Sequence, residues 1–135
     1  MEFDKLMNLL QKKTSAITIF MSDNKYRDIP LIELEKQINI INNFHLLQYR
    51  SETRDCDDYA AFLYGMVKAF LGNIQYGLCW VNVYDKKTNK LIYKHAMNIF
   101  VDKSGTIWYI EPQTNSINLI TSFLKENIKP FLIVM

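Results

Sequence analysis

The 135-residue sequence predicts an α+β fold in which helices come first and an antiparallel sheet follows. Two observations support this prediction. Apolar residues recur at three- and four-residue spacing through the first half of the chain, and after Gly72 the apolar period changes to two. A chain of this length is typical of one domain, so we expect residues 1–135 to fold as a single domain.

The first half contains three predicted elements and a loop. Apolar residues at helical spacing predict a short amphipathic helix over 3–12, and β-branched residues predict a short strand within 14–21. Pro30 is suited to a helix start, and the periodic segment that follows it is predicted to end at Asn42. Residues 44–54 then lack periodicity, so we expect an exposed loop there.

The clearest predicted helix begins at Cys56. An apolar stripe at helical spacing runs from Tyr59 to Leu71, which predicts a buried helix. Asp57 and Asp58 lie at its front, where acidic residues suit the positive end of the helix dipole. Cys56 therefore occupies a helix start, a position at which backbone N–H groups and the dipole stabilise a thiolate.

The second half is predicted to form the sheet. Two-residue periodicity predicts strands at 76–84, 91–101 and 106–111, with turn residues between them. A short helix near 120–126 and a final strand at 130–134 complete the expected order.

The turn after residue 102 predicts the register of two strands. If Asp102 pairs with Thr106 across a three-residue loop, Gly105 takes the left-handed position. His95 and Glu111 then lie on one sheet face as diagonal neighbours, about 7–8 Å apart between backbones. A slip of one residue would place them on opposite faces.

The predicted elements place the Cys56 thiol at a helix start and the His95 imidazole beside the Glu111 carboxylate. Nucleophilic catalysis is often assembled in this way, because the imidazole polarises the thiol and the carboxylate orients the imidazole. Local pattern leaves open whether the helix start packs on the same sheet face as His95 and Glu111.

Three motifs in this order resemble the papain-like and transglutaminase-like cysteine enzymes. They are Cys56-Asp57-Asp58-Tyr59-Ala60, His95-Ala96-Met97-Asn98 and Trp108-Tyr109-Ile110-Glu111-Pro112-Gln113. The Glu-Pro-Gln form is similar to that of the papain-like protease domain at the C-terminus of a mushroom agglutinin and of small phage and bacterial proteins. The resemblance covers residues 48–114, whereas 1–47, predicted to be largely helical, match no motif.

The resemblance implies a papain-like/transglutaminase-like core, with the nucleophile helix packed on the antiparallel sheet. It implies a cysteine hydrolase, a peptidase or amidase that forms a thioester acyl-enzyme on a protein or peptide substrate. Cys56 would be the nucleophile, His95 the general base and acid, and Glu111 the orienting carboxylate. Gln48 and Gln113 are the candidate side chains for the oxyanion hole.

The same resemblance implies calcium. Asp55, Asp57 and Asp58 offer oxygen ligands, although stabilisation of the helix dipole is their simpler role. The sequence lacks the spacing of an EF-hand loop, and we expect no other cofactor. Cys56 and Cys79 form no disulfide framework or zinc site by themselves.

Composition argues against several other classes. The 16 Lys and Arg residues against 14 Asp and Glu give a net charge of +2 without a long basic cluster, so we expect no nucleic-acid partner. No apolar run is long enough to span a bilayer and the N-terminus lacks signal-peptide features, so we expect no membrane partner and a cytoplasmic location.

Two alternative functions remain. Transglutaminase-type acyl transfer shares its first half-reaction with hydrolysis, so the residues do not separate the two. A non-catalytic protein-binding module on the same scaffold is the other alternative, since 135 residues leave little room for the second lobe of a peptidase cleft. The reactivity of the Cys56 thiol distinguishes catalysis from binding.

Overall fold

The structure is a computed structural model that describes residues 1–14, 16, 18–43, 56–114, 116–119 and 126–135. The described residues form three helices and six strands, an α+β arrangement as predicted. In chain order these are α1 (Phe3–Lys13), β1 (Thr18–Phe20), α2 (Leu31–Asn43), α3 (Cys56–Leu71), β2 (Tyr76–Asp85), β3 (Leu91–Val101), β4 (Ile107–Glu111), β5 (Ser116–Leu119) and β6 (Glu126–Val134).

The strands form one mixed sheet in the order β1-β6-β2-β3-β4-β5. Strands β2 to β5 are successive antiparallel neighbours, and β6 is antiparallel to β2. The short β1 runs parallel to β6, so the expected purely antiparallel sheet is wrong at this edge. The N-terminal half supplies β1, and no hairpin links it to β6, so antiparallel pairing is not imposed on it.

The helices cover opposite faces of this sheet. Met97 and Ile99 of β3 share a buried cluster with Leu6 and Leu10 of α1, and we call this side the α1 face. The intervening Phe100 belongs to a second buried cluster. Its other members include Ile38 of α2, Leu63 and Val67 of α3, and Ile110 of β4. This side, which α2 and α3 cover, is the α3 face.

The register predicted for the β3–β4 hairpin is confirmed. Val101 lies opposite Ile107, and the Asp102 N–H donates to the Thr106 carbonyl at 3.0 Å. Gly105 has a φ of +81°, the left-handed conformation that the three-residue loop requires. The Asp102 carboxylate accepts hydrogen bonds from Ser104, Thr106 and the Trp108 indole, which holds the turn closed.

The C-terminal third differs most from the prediction. Strand β5 was not predicted, because four residues are too few for a periodic pattern. The final strand was expected at 130–134, yet it begins at Glu126 and so replaces the last residue of the predicted 120–126 helix. The rest of that helix, at 120–125, lies outside the described residues, as does the predicted 44–54 loop.

Candidate functional site

His95 and Glu111 form a hydrogen-bonded pair across β3 and β4, as the predicted register requires. The His95 Nε2 atom bonds the Glu111 Oε2 atom, and both side chains are largely buried, at 17% and 22% exposure. The other carboxylate oxygen accepts the Gln113 backbone N–H at 3.3 Å. The Tyr93 ring lies edge-on to the imidazole, with 6.1 Å between ring centres. These contacts fix the orientation of both groups.

This pair belongs to the α1 face. Side chains alternate along a strand, so His95 shares the face of Met97, and Glu111 shares that of Tyr109. A cavity of about 220 Å³ opens beside the pair. Its remaining wall is apolar at Val83, Met97 and Ile128, aromatic at Tyr93, and polar at Thr114, Ser116 and Asn118. The pair therefore faces a cavity of mixed polar and apolar character.

Cys56 begins the helix that covers the other face of the sheet. Helix α3, which it begins, packs on the α3 face through Leu63 and Val67. The buried Asn98 amide fixes the first part of this helix, because its Nδ2 atom donates to the Ala60 carbonyl at 2.9 Å and to the Gly77 carbonyl at 3.3 Å. A second cavity, of about 180 Å³, separates the helix start from the sheet. Its lining is Cys56, Asp57, Trp80, Lys94, His95 and Ala96.

The structure thus brings together two of the three residues of the predicted triad. His95 borders both cavities, but strand alternation directs its ring to the α1 face, towards Glu111. Within the described residues, no hydrogen bond joins the Cys56 thiol to the His95 ring. Helix α3 covers the face opposite the imidazole, a long-range arrangement that local sequence pattern does not determine.

The remaining predicted site residues either lie outside the described residues or are exposed. Gln48 and Asp55 lie outside the described residues. Gln113 is exposed in the turn after β4, and its backbone is what contacts Glu111. Asp57 and Asp58 are exposed at the start of α3. Among residues whose placement is described, no group of three or more His, Cys, Asp or Glu side chains is placed to hold a metal ion.

Sequence reasoning missed the polar wall and the buried amide. Thr114, Ser116 and Asn118 were not predicted to meet His95, because β5 was not predicted. Asn98 stands in an apolar strand, and a polar residue at a buried position was the signal that it has specific partners. None of the described helices has the length and apolar character needed to cross a membrane.

Two comparisons found nothing similar, and one found structural neighbours. No protein-family model matches the chain, and no curated protein matches it. Among solved structures, a PSL1a–E64 complex matches all of this chain and 50% of its own, with a TM-score of 0.76 and 20% identity. A Polyporus squamosus lectin bound to the human-type influenza-binding epitope Neu5Acα2-6Galβ1-4GlcNAc matches over 87% of this chain and 42% of its own. Its TM-score is 0.62 and its identity 22%.

These neighbours share the fold of this chain, and they correct the family resemblance drawn from the sequence motifs. They are structures of a lectin and are not named as proteases, which contradicts membership of the papain-like/transglutaminase-like protease superfamily. The predicted cysteine peptidase or amidase activity is contradicted on the same ground, as is the predicted protein or peptide substrate. The absence of a hydrogen bond between the Cys56 thiol and the His95 ring, within the described residues, is consistent with this correction. The chain spans half or less of the length of either neighbour.

Proposed function

We propose that the chain is a single-domain, non-catalytic binding module and that its ligand site is the cavity beside His95 and Glu111. One observation supports this proposal: the imidazole is hydrogen-bonded to Glu111 beside a cavity on the α1 face, and within the described residues it has no hydrogen bond to the thiol, although both border the second cavity. In this proposal the packing of α3 on the mixed sheet serves as a scaffold for binding.

The lining of the cavity favours a neutral ligand that carries hydroxyl groups. Glu111 is already oriented by His95 and the Gln113 N–H, so it accepts further hydrogen bonds without being reorganised. The Asn118 amide, which donates to the Ser116 hydroxyl at 2.8 Å, adds polar groups beside Glu111 on the neighbouring strand β5. Apolar side chains with a few fixed polar groups are the usual composition of a small-molecule site. A saccharide ring, with hydroxyl groups around an apolar ring face, matches this lining.

The structural neighbours support a carbohydrate ligand but do not specify it. The sialylated epitope is bound by a whole lectin, of which this chain matches 42%. In this chain the Glu111 carboxylate would lie near any ligand in the cavity, and two carboxylates at close range repel. The proposal is therefore a neutral saccharide rather than a sialylated one.

Calorimetric titration tests this proposal with two probes, Galβ1-4GlcNAc and its sialylated form. We expect the neutral disaccharide to bind more tightly, and Glu111→Gln to weaken its binding roughly 10-fold through loss of a charged acceptor. Glu35→Gln on α2 is the matched control and should leave the affinity unchanged. If neither probe binds, the saccharide site is contradicted. Cys56-dependent turnover of any amide substrate contradicts the non-catalytic function.

A further inference from the structure

One end of the sheet carries a concentration of positive charge. This end of the sheet comprises residues 80–95 and 126–134, which together we call the basic hairpin. This segment contains five of the chain's 16 basic residues and two of its 14 acidic residues, so it carries +3 while the rest of the chain carries −1. The basic residues are Lys86, Lys87, Lys90, Lys94 and Lys129, and the acidic residues are Asp85 and Glu126.

Two of these lysines flank a row that crosses three strands. Asn82 of β2 lies opposite Lys94 of β3 on one side and opposite Lys129 of β6 on the other. The Lys94 ammonium lies 5.8 Å from the centre of the Phe131 ring. The Lys129 ammonium lies 5.2 Å from that of the Tyr84 ring.

These ammonium groups keep their capacity for an external anion. Across the described part of the chain, neither lysine forms a salt bridge with a carboxylate. Asp57, at the start of α3, borders the same cavity as Lys94. A cation–π contact leaves the ammonium's N–H donors available, and it holds the charge at the surface rather than in a folded-back ion pair.

Exposed apolar side chains interrupt this charge. Leu91 and Ile92 lie directly after Lys90 in β3 and are 49% and 50% exposed. A single exposed apolar residue is ordinary on a protein surface. Two in succession between Lys90 and Lys94 combine the two features that an interfacial membrane contact uses, namely apolar insertion and attraction to anionic headgroups. A polyanion such as a nucleic acid needs only the charge.

We propose that the basic hairpin docks peripherally on an anionic phospholipid bilayer. The lysines contact the headgroups, and Leu91 and Ile92 enter the interfacial region. The sequence predicted no membrane partner because it lacks a spanning segment, but peripheral docking requires none. This proposal does not depend on the saccharide site, because its ligand is different and neither the lysines nor Leu91 and Ile92 line that cavity, although other residues of the same segment do.

Vesicle co-sedimentation with the full chain tests the charge. The probes are vesicles of phosphatidylcholine with 30% phosphatidylserine and vesicles of phosphatidylcholine alone. We expect binding to the anionic vesicles only, weakened at high salt, and about 30-fold weaker for Lys87→Gln/Lys90→Gln. The control Lys5→Gln/Lys12→Gln on α1 makes the same change in net charge elsewhere and should bind as the parent does.

A second pair of variants tests the apolar contact. Ile92→Ser should weaken vesicle binding about 5- to 10-fold, since a half-exposed side chain has about 1 kcal/mol of further apolar surface to bury. Ile40→Ser on α2 is the matched control, because Ile40 is 51% exposed, and it should have no effect. Equal binding by both serine variants, equal binding of both vesicle types, or stronger binding to a single-stranded oligonucleotide than to anionic vesicles would overturn the proposal.

Discussion

The two faces of the sheet differ most at β3, where adjacent residues serve different cavities. The His95 ring points towards α1 and is held by Glu111, whereas Lys94 and Ala96 point towards α3, and all three residues border the cavity that Cys56 lines. The Cys–His–acid order of the chain does not by itself join the three groups: within the described residues His95 is hydrogen-bonded to Glu111, and no hydrogen bond joins it to Cys56.

Packing at the other end of β3 decides which face α3 covers. Phe100 and Ile110 point to α3 and form a buried cluster with Leu63 and Val67. Asn98 lies on the same face and bonds the Ala60 carbonyl of the helix. His95 has the opposite parity, so its ring points away from the face on which these contacts hold α3.

The largest expected loss of stability comes from the strand that forms the centre of the sheet. A Cβ atom added at Gly77 would lie 2.3 Å from the Val134 carbonyl oxygen, a backbone atom that cannot move without disturbing β6. We expect Gly77→Ala to lower the free energy of unfolding by about 3 kcal/mol or more, measured by urea denaturation. Gly65→Ala in α3 meets no atom within 4 Å and should stabilise the protein slightly. Equal effects of the two variants would contradict the close β2–β6 approach.

The contact that positions α3 is tested at Asn98. Asn98→Ala removes two buried hydrogen bonds and leaves the Ala60 and Gly77 carbonyls without this donor. We expect a loss of about 2–3 kcal/mol in the free energy of unfolding. Asn39→Ala, on the exposed side of α2, should cost no more than about 0.5 kcal/mol. If Asn98→Ala were as mild as this control, α3 would be held on its face by apolar packing alone.

A smaller effect is expected at the far end of α3. Burial lowers the pKa of Lys68 to about 8, while its ammonium donates to the Ile74 carbonyl at 2.8 Å and lies over the Tyr26 ring. In the unfolded chain the pKa of this group is about 10.5, so between pH 8 and 10.5 the unfolded state holds more protons. The contribution of Lys68 to stability therefore rises with pH in this window.

Thermal melts at pH 7 and pH 9 measure this contribution against Lys68→Met. We expect the parent protein to gain about 1–2 °C relative to the variant between the two pH values, because a partly exposed group is screened by solvent. The variant is the necessary reference, since burial raises the pKa of Tyr64 and of Cys79, and their contributions fall as pH rises. A parent melting temperature that falls relative to the variant would contradict the direction of the Lys68 shift.

The sequence predicted local features better than long-range ones. The β3–β4 register followed from Asp102 and Gly105, because a tight loop allows few pairings, and with it came the contact of His95 with Glu111. The face that α3 covers depends on packing between residues far apart in the chain, such as Asn98 with Ala60. The parallel pairing of β1 with β6 is also a long-range contact. Strand β5, which supplies the polar wall, is too short to leave a periodic signal.

The alkylation rate of Cys56 tests the separation of thiol and imidazole most directly. Iodoacetamide labelling at pH 6, followed by mass spectrometry, compares Cys56 with the buried Cys79, whose pKa is raised by desolvation, in the parent and in His95→Ala. If the sheet separates the two groups, Cys56 labels slowly and at the same rate in both proteins. Rapid labelling of Cys56 that slows in His95→Ala would place the thiol and the imidazole in one site and contradict the binding-module account.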